Sequence, residues 1–238
     1  MRGALLAAML LTMVSAPAAR ADDPLPPVAD VLLRTRAVMN RKPDHAVCKI
    51  VVDSQLLDRS GKVEHDEHRE GEATLTGDDQ DIDSTRVVRD GKPMSADELA
   101  AERDKARKQR AKRTKGGDDD FDLSPLAAKN APSQSFELVR RELLWGRPAW
   151  VLKVKAARAS PQLANGTLWI DAERYVELKG ELTPAGMPAH ADWVKVQEQY
   201  TLGPSDLPMP SLMHIEGAGH MLFMHKQFRS TLRWSGCR

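Results

Sequence analysis

The 238-residue chain lacks the signatures by which common enzymes are recognised. It has no G-x-S-x-G elbow, no Gly-rich phosphate loop and no dinucleotide fingerprint after a strand, which speaks against the familiar hydrolases, NTPases and dehydrogenases. Net charge is nearly absent, with 35 basic residues against 34 acidic ones, and such a balance specifies no class of partner. The apolar run at 4–14 falls short of the ~20 residues that span a bilayer. Cysteine is scarce: only Cys48 and Cys237 occur, and none follows Ala21 to accept a lipid. No internal repeat is found.

What is present begins with a leader. Arg2, the apolar run and the small-residue ending Ala19-Arg20-Ala21 predict a secretory signal peptide over 1–21, cleaved after Ala21, with a retained membrane anchor as the alternative. Loss of Arg2 and Arg20 turns the net charge from +1 to −1. The expected location is the periplasm. In an oxidising compartment the two cysteines are expected to form a disulfide joining the first strand to the last; the other reading is two free thiols. By the chain-entropy argument a loop of that length adds at most about 4–5 kcal/mol.

Val28, Val31, Leu32, Thr35, Val38 and Met39 recur at helical spacing, so a helix is expected over 28–41, with Pro27 at its start and Pro43 closing it. From Val47 the period shortens. "VCKIVVDSQLL" reads as a strand, "DRSGKVE" as a turn around Gly61, "HDEHREGEATLTG" and "STRVVRD" as further strands. Ser95 and Glu98 form a capping-box pattern before a charged segment without an apolar stripe, predicting an exposed helix over 96–112. Residues 135–234 are nearly all strand-like and broken by turns, as in an antiparallel meander or barrel. In "AWVLKVK", Trp150, Leu152 and Val154 share one face while Val151, Lys153 and Lys155 share the other, as expected of a sheet with one apolar and one wetter side. A helix that only partly covered the apolar face would leave a greasy groove.

Candidate chemistry is thin. His65 and His68 lie three apart on a strand and point to opposite faces; His214 and His220 are separated by an expected turn at Gly217-Ala218-Gly219. No metal site and no cofactor is predicted. In "NGTLWIDAERYVELKGE", Asp171-Ala172-Glu173-Arg174 reads as a hairpin turn, with Glu177, Lys179 and Glu181 on the solvent side. A hydrolase built on Asp171 and Glu173 would need a second carboxylate at fixed separation, and the sequence identifies none. The basic run 103–115, from Arg103 to Lys115, lacks interleaved aromatics, so nucleic acid is not expected. It reads either as a solvated helix face or as a docking patch for anionic headgroups or a protein.

Together the early helix "ADVLLRTRAVMN", the turn "LLDRSGKV", "RELLWGRPAWVLKVKA", the hairpin "GTLWIDAERYVELKGEL" and the closing "FRSTLRWSGCR" resemble the LolA/LolB-like superfamily of outer-membrane lipoprotein-sorting proteins, in its uncharacterised periplasmic branch. The resemblance implies an α+β fold: a strongly curved antiparallel sheet, an unclosed β-barrel, with helices over its concave face. It also implies one domain over 22–238 with a charged helical insertion at about 95–117. No catalytic residues come with it. The implied function is non-enzymatic binding or carriage of a lipid or lipoprotein acyl chain in an apolar cavity, for which Leu32, Val38, Met39, Trp150, Leu152, Leu168 and Ile170 are the candidate lining residues. The alternative is an envelope-stress or regulatory module of the same fold that binds a protein partner.

Overall fold

The computed structural model describes residues 24–77, 79–113, 123–221 and 224–238, and at 109–113, 221 and 224 it describes the backbone alone. The expected signal peptide, and the end of the basic run at 114–115, lie outside the described residues. Helix α1 (Val28–Met39) is followed by strands β1 (Ala46–Leu57), β2 (Val63–Thr76), β3 (Asp79–Arg89) and β4 (Lys92–Pro93). Helix α2 (Ala96–Arg113) interrupts them. Strands β5 (Gln134–Leu144), β6 (Arg147–Ala156), β7 (Ala164–Asp171) and β8 (Glu177–Pro184) come next. The chain then closes with β9 (Ala191–Leu202), β10 (Pro208–Met221) and β11 (Met224–Ser235).

These strands form one antiparallel, curved sheet in the order β4-β3-β2-β1-β11-β10-β9-β8-β7-β6-β5. Its edges, β4 and β5, do not pair, so it is an unclosed barrel, as the resemblance implies. Bulges bend it: the register slips between Glu70 and Gly71, between Leu138 and Arg140, and between Trp169 and Ile170. The first and last strands meet at its centre. Val47 and Arg238 exchange backbone hydrogen bonds of 3.0 and 3.1 Å, and the Cys48–Cys237 disulfide links residues 189 apart beside them.

Helix α1 is preceded by Pro27 at its N-cap, with φ −55° and ψ 131°, and buries Val31, Leu32, Thr35 and Met39 on one side. It ends earlier than position 41, because the Arg41 N–H turns back to the Val38 carbonyl. Helix α2 opens with the capping box: the Ser95 N–H donates to Glu98 Oε2 at 2.8 Å and the Glu98 N–H to Ser95 Oγ at 3.3 Å.

Two expectations are corrected. Gly217-Ala218-Gly219 is not a turn but lies inside β10, which continues to Met221. Both glycines allow close approach: a Cβ at Gly217 would sit 2.7 Å from the Phe228 ring, and one at Gly219 2.4 Å from the His190 carbonyl. Nor is the second face of β6 simply wet. Val151 is buried there opposite Trp169, whose indole is covered by the Lys179 ammonium at 4.8 Å and donates to Glu142 Oε1 at 2.6 Å.

Candidate functional site: the concave face

Directly opposed residues in neighbouring strands share a face, so the register traces the concave surface. Leu152, Leu168, Gly180 and Glu198 form one row across β6 to β9. The same row continues through Met213, Leu232 and Val52 to Arg69 on β2. Its first half lies in the core that includes Val31, Leu32 and Met39 of α1, and its second half runs toward α2.

The structure brings the seven candidate lining residues together in the α1 half. Leu152, Leu168 and Ile170 have no exposed surface, Leu32 and Met39 are buried, and Val38 and Trp150 pack against them. None of the seven lines any of the described cavities, which measure about 290 to 540 Å³. They pack together between helix and sheet.

The open part of the concave face lies between the two helices and was missed at the level of sequence. Val52, Leu56, Met213, Ile215 and Leu232 are only half-buried there, and Phe228 is 38% exposed. Leu56 sits opposite Phe228, and Ser54 opposite Ser230, the two hydroxyls hydrogen-bonded at 2.8 Å. Gly217 faces Phe228 across the strand pair and leaves room for its ring. From this strip a cavity of about 440 Å³ extends beneath α2, lined by Val52, Ile82, Leu232, Leu99 and Ala106 among others. That volume falls in the usual range for small-molecule sites.

Helix α2 is held over this cavity by charge. Arg69 pairs with Glu67 and Glu102, and Arg89 joins the same two carboxylates, at 2.5 and 3.3 Å. Burial alone would raise the Glu67 carboxyl, but the hydrogen bonds from Arg69 and Arg89 outweigh it and hold the group below its usual range. Arg103 is an anchor as well: its Nε donates to the Ser84 carbonyl at 2.9 Å and lies 2.8 Å from Asp83. Of the basic run, Lys105, Arg107 and Lys108 are exposed.

The hairpin carboxylates divide unexpectedly. Asp171 does organise the turn: its Oδ1 accepts from the Glu173 N–H at 2.9 Å and the Arg174 N–H at 2.7 Å, and Arg147 pairs with its other oxygen. Glu177, expected on the solvent side, is instead only 1% exposed. The β-bulge is the reason. It sets Glu177 opposite Ile170, so the side chain turns to the concave side with its neighbour Leu178 rather than away from it. There it meets Glu198, 6% exposed, and burial, the Glu198 charge and a hydrogen bond between the carboxyls push Glu177 well above the ordinary glutamate range. Gly180 makes the space: a Cβ there would lie 2.7 Å from Glu177 Oε1 and 3.1 Å from Glu198 Oε1.

The histidines are spread over the sheet. His65 bonds Asp90, His68 bonds Asp53 and Glu70, and His214 bonds Thr231. His220 and His225 both reach Asp192. Among the described residues no group of three or more His, Cys, Asp or Glu side chains is arranged to hold a metal ion.

No protein-family model and no curated protein matches the chain. Among solved structures it is similar to a LolA superfamily protein from Nitrosomonas europaea, at 11% identity and a TM-score of 0.37, over 88% of this chain and 92% of that one. It is similar also to a DUF1329 family protein from Desulfovibrio piger, at 11% identity and a TM-score of 0.41, over 88% and 90% of the two chains. A third is a putative outer membrane lipoprotein-sorting protein domain from Vibrio parahaemolyticus, at 10% identity and a TM-score of 0.39, over 87% and 90%.

Proposed function

We propose that the protein is a non-enzymatic periplasmic binding or carrier protein that takes a lipid, or the acyl chain of a lipoprotein, on its concave face. The observation that carries this reading is the half-exposed apolar strip of Val52, Leu56, Met213, Ile215, Phe228 and Leu232, continuous with the cavity under α2. Each buried CH₂ of an acyl chain contributes ~0.8 kcal/mol, so such a strip needs no polar recognition motif to hold one. The Leu32, Val38, Met39, Trp150, Leu152, Leu168 and Ile170 cluster is the second wall of the site, available to a long chain when α1 moves off the sheet.

Native mass spectrometry of the protein from a periplasmic extract tests this reading, together with displacement of a fluorescent fatty acid. Co-purifying lipid, and loss of probe binding in a folded Leu232→Asp variant, are the expected results. A protein that is empty as purified, binds no fatty acid and instead captures a membrane partner through Lys105, Arg107 and Lys108 would favour the regulatory module.

A further inference from the structure

We propose that Arg141 and Trp150, at the β5 margin of the concave face, form an oxyanion seat that receives the carboxylate or phosphoryl head of an amphiphile. The inference rests on the carrier reading and deepens it, adding a charge requirement to a site argued so far from apolar surface.

The register places the two side chains together. Arg141 on β5 stands directly opposite Trp150 on β6, and Trp150 opposite Ile170 on β7, so all three share the concave face. The Arg141 guanidinium lies 5.2 Å from the centre of the Trp150 ring. Both residues are half-buried, and each keeps an enclosed donor, Nε of Arg141 and Nε1 of Trp150, that meets no acceptor among the described residues. The nearby carboxylates are engaged elsewhere. Glu142, next to Arg141 in sequence, points to the other face, where it accepts from Arg140 and Trp169. Asp171 is taken by Arg147 and by the backbone of its own turn, and Glu177, further along the row, is bonded to Glu198.

Two adjacent donors enclosed without an acceptor are costly. A water molecule accepts such bonds but leaves a half-desolvated positive charge unbalanced, whereas an oxyanion supplies both acceptor and charge. Arg36 strengthens the attraction from α1. Its guanidinium lies 5.5 Å from the ring of Phe136 on β5, its Nε is likewise enclosed without a partner, and its charge adds to the positive potential of this margin. Hydrocarbon is at hand on the same face. Leu143, two residues past Arg141, is 70% exposed, and Ile170 continues the apolar wall beyond Trp150. A head group held at Arg141 therefore has apolar surface beside it for an attached chain.

Nuclear magnetic resonance of the tryptophan indole N–H groups in the intact, disulfide-bonded protein tests the seat, with the Trp150 signal assigned by W150F. The first probe is butyl phosphate, compared with butanol at matched ionic strength, because so short a chain gains little from the apolar strip. Butyl phosphate is expected to shift the Trp150 signal to saturation, and butanol to leave it in place. R141Q should weaken the butyl phosphate response about tenfold or more, the loss expected for a charge-assisted hydrogen bond. Butyrate and inorganic phosphate then separate the sources of the anion. Affinity for butyl phosphate or butyrate several-fold above that for inorganic phosphate identifies an amphiphile's head, while equal affinities assign the seat to a free anion and overturn the proposal. An unmoved Trp150 signal, a shift that butanol reproduces, or an undiminished response in folded R141Q would overturn it too. Should R141Q fail to fold, the wild-type comparison of butyl phosphate with butanol still decides. Palmitate is read separately, by displacement of the fluorescent fatty acid. If palmitate does not bind while butyl phosphate seats at Trp150, the acyl strip is refuted and the seat stands; palmitate binding with Trp150 unmoved by any anion means the reverse.

Discussion

The two halves of the concave face are built on opposite principles. Under α1 the interface is dry and apolar, with Leu152, Leu168 and Ile170 fully enclosed and one acid pair sealed among them. Under α2 it is wet and ionic: Arg69, Arg89, Glu67 and Glu102 fasten a helix that has no apolar stripe, and a cavity remains beneath it. Close packing transmits the loss of even a methylene, while a charge-held cover leaves space that a ligand can use. Stability should therefore be concentrated on one side and ligand access on the other.

Truncation offers the largest effect. Leu168→Ala removes a side chain with no exposed surface and should cost about 2–5 kcal/mol in urea unfolding, whereas Leu232→Ala, half-exposed in the strip, should cost about 1 kcal/mol or less. Fatty-acid affinity should rank the two variants the other way. If Leu168→Ala instead left stability intact and abolished binding, the α1 side would be the standing cavity and the contrast would be reversed.

The disulfide comes next. Cys48 lies in a small second core with Ile50, Ala73 and Trp234, away from α1. Replacing both cysteines by serine should cost about 2–5 kcal/mol, read by the shift in the urea midpoint under oxidising conditions. Proteolysis should then begin in β1 and β11 rather than in β6 to β8; first cuts in β6 to β8 would show that the halves do not open independently.

The contrast was only partly legible in the sequence, and the reasons are local. Alternation over Trp150, Leu152 and Val154 was sufficient to orient β6, because a period of two is fixed by backbone geometry. The same argument misplaced Glu177, since a bulge shifts the period by one and leaves no compositional mark. Gly180 was the available clue: a glycine inside a strand signals close approach, here of two carboxylates. The position of α2 was harder to read. Lacking an apolar stripe, it gave no sign of the face it covers, and Arg103 looked like one more solvated cation although it reaches Ser84 and Asp83 on β3.

Salt should separate the helices by a smaller amount. Raising ionic strength from about 0.1 to 1 M shortens the screening length from ~10 to ~3 Å, which weakens partly exposed pairs such as Arg89–Glu102 but barely touches apolar burial. Exchange in residues 96–108 should quicken several-fold, consistent with pairs worth about 1 kcal/mol or less, while exchange in α1 at pH 5 stays constant. Equal acceleration in both helices would mean that α1 too is held largely by charge.

The finest discrimination comes from acid. Glu67 is held below its usual range once the arginine hydrogen bonds overcome burial, and Glu98 is lowered by the backbone and side-chain hydrogen bonds of Ser95. For groups lowered in the folded state, stability is present above the unfolded value of about 4.3 and is lost as pH falls through the folded one. Acid should thus loosen α2, whereas the buried Glu177, raised in the folded state, contributes stability to the α1 side that is lost only as pH rises through its folded titration. Exchange profiles of the two helices measured from pH 3 to 9 should accordingly run in opposite directions. Parallel profiles would require one cooperative opening of the whole concave face, and then neither helix could serve as a separate gate to the apolar strip.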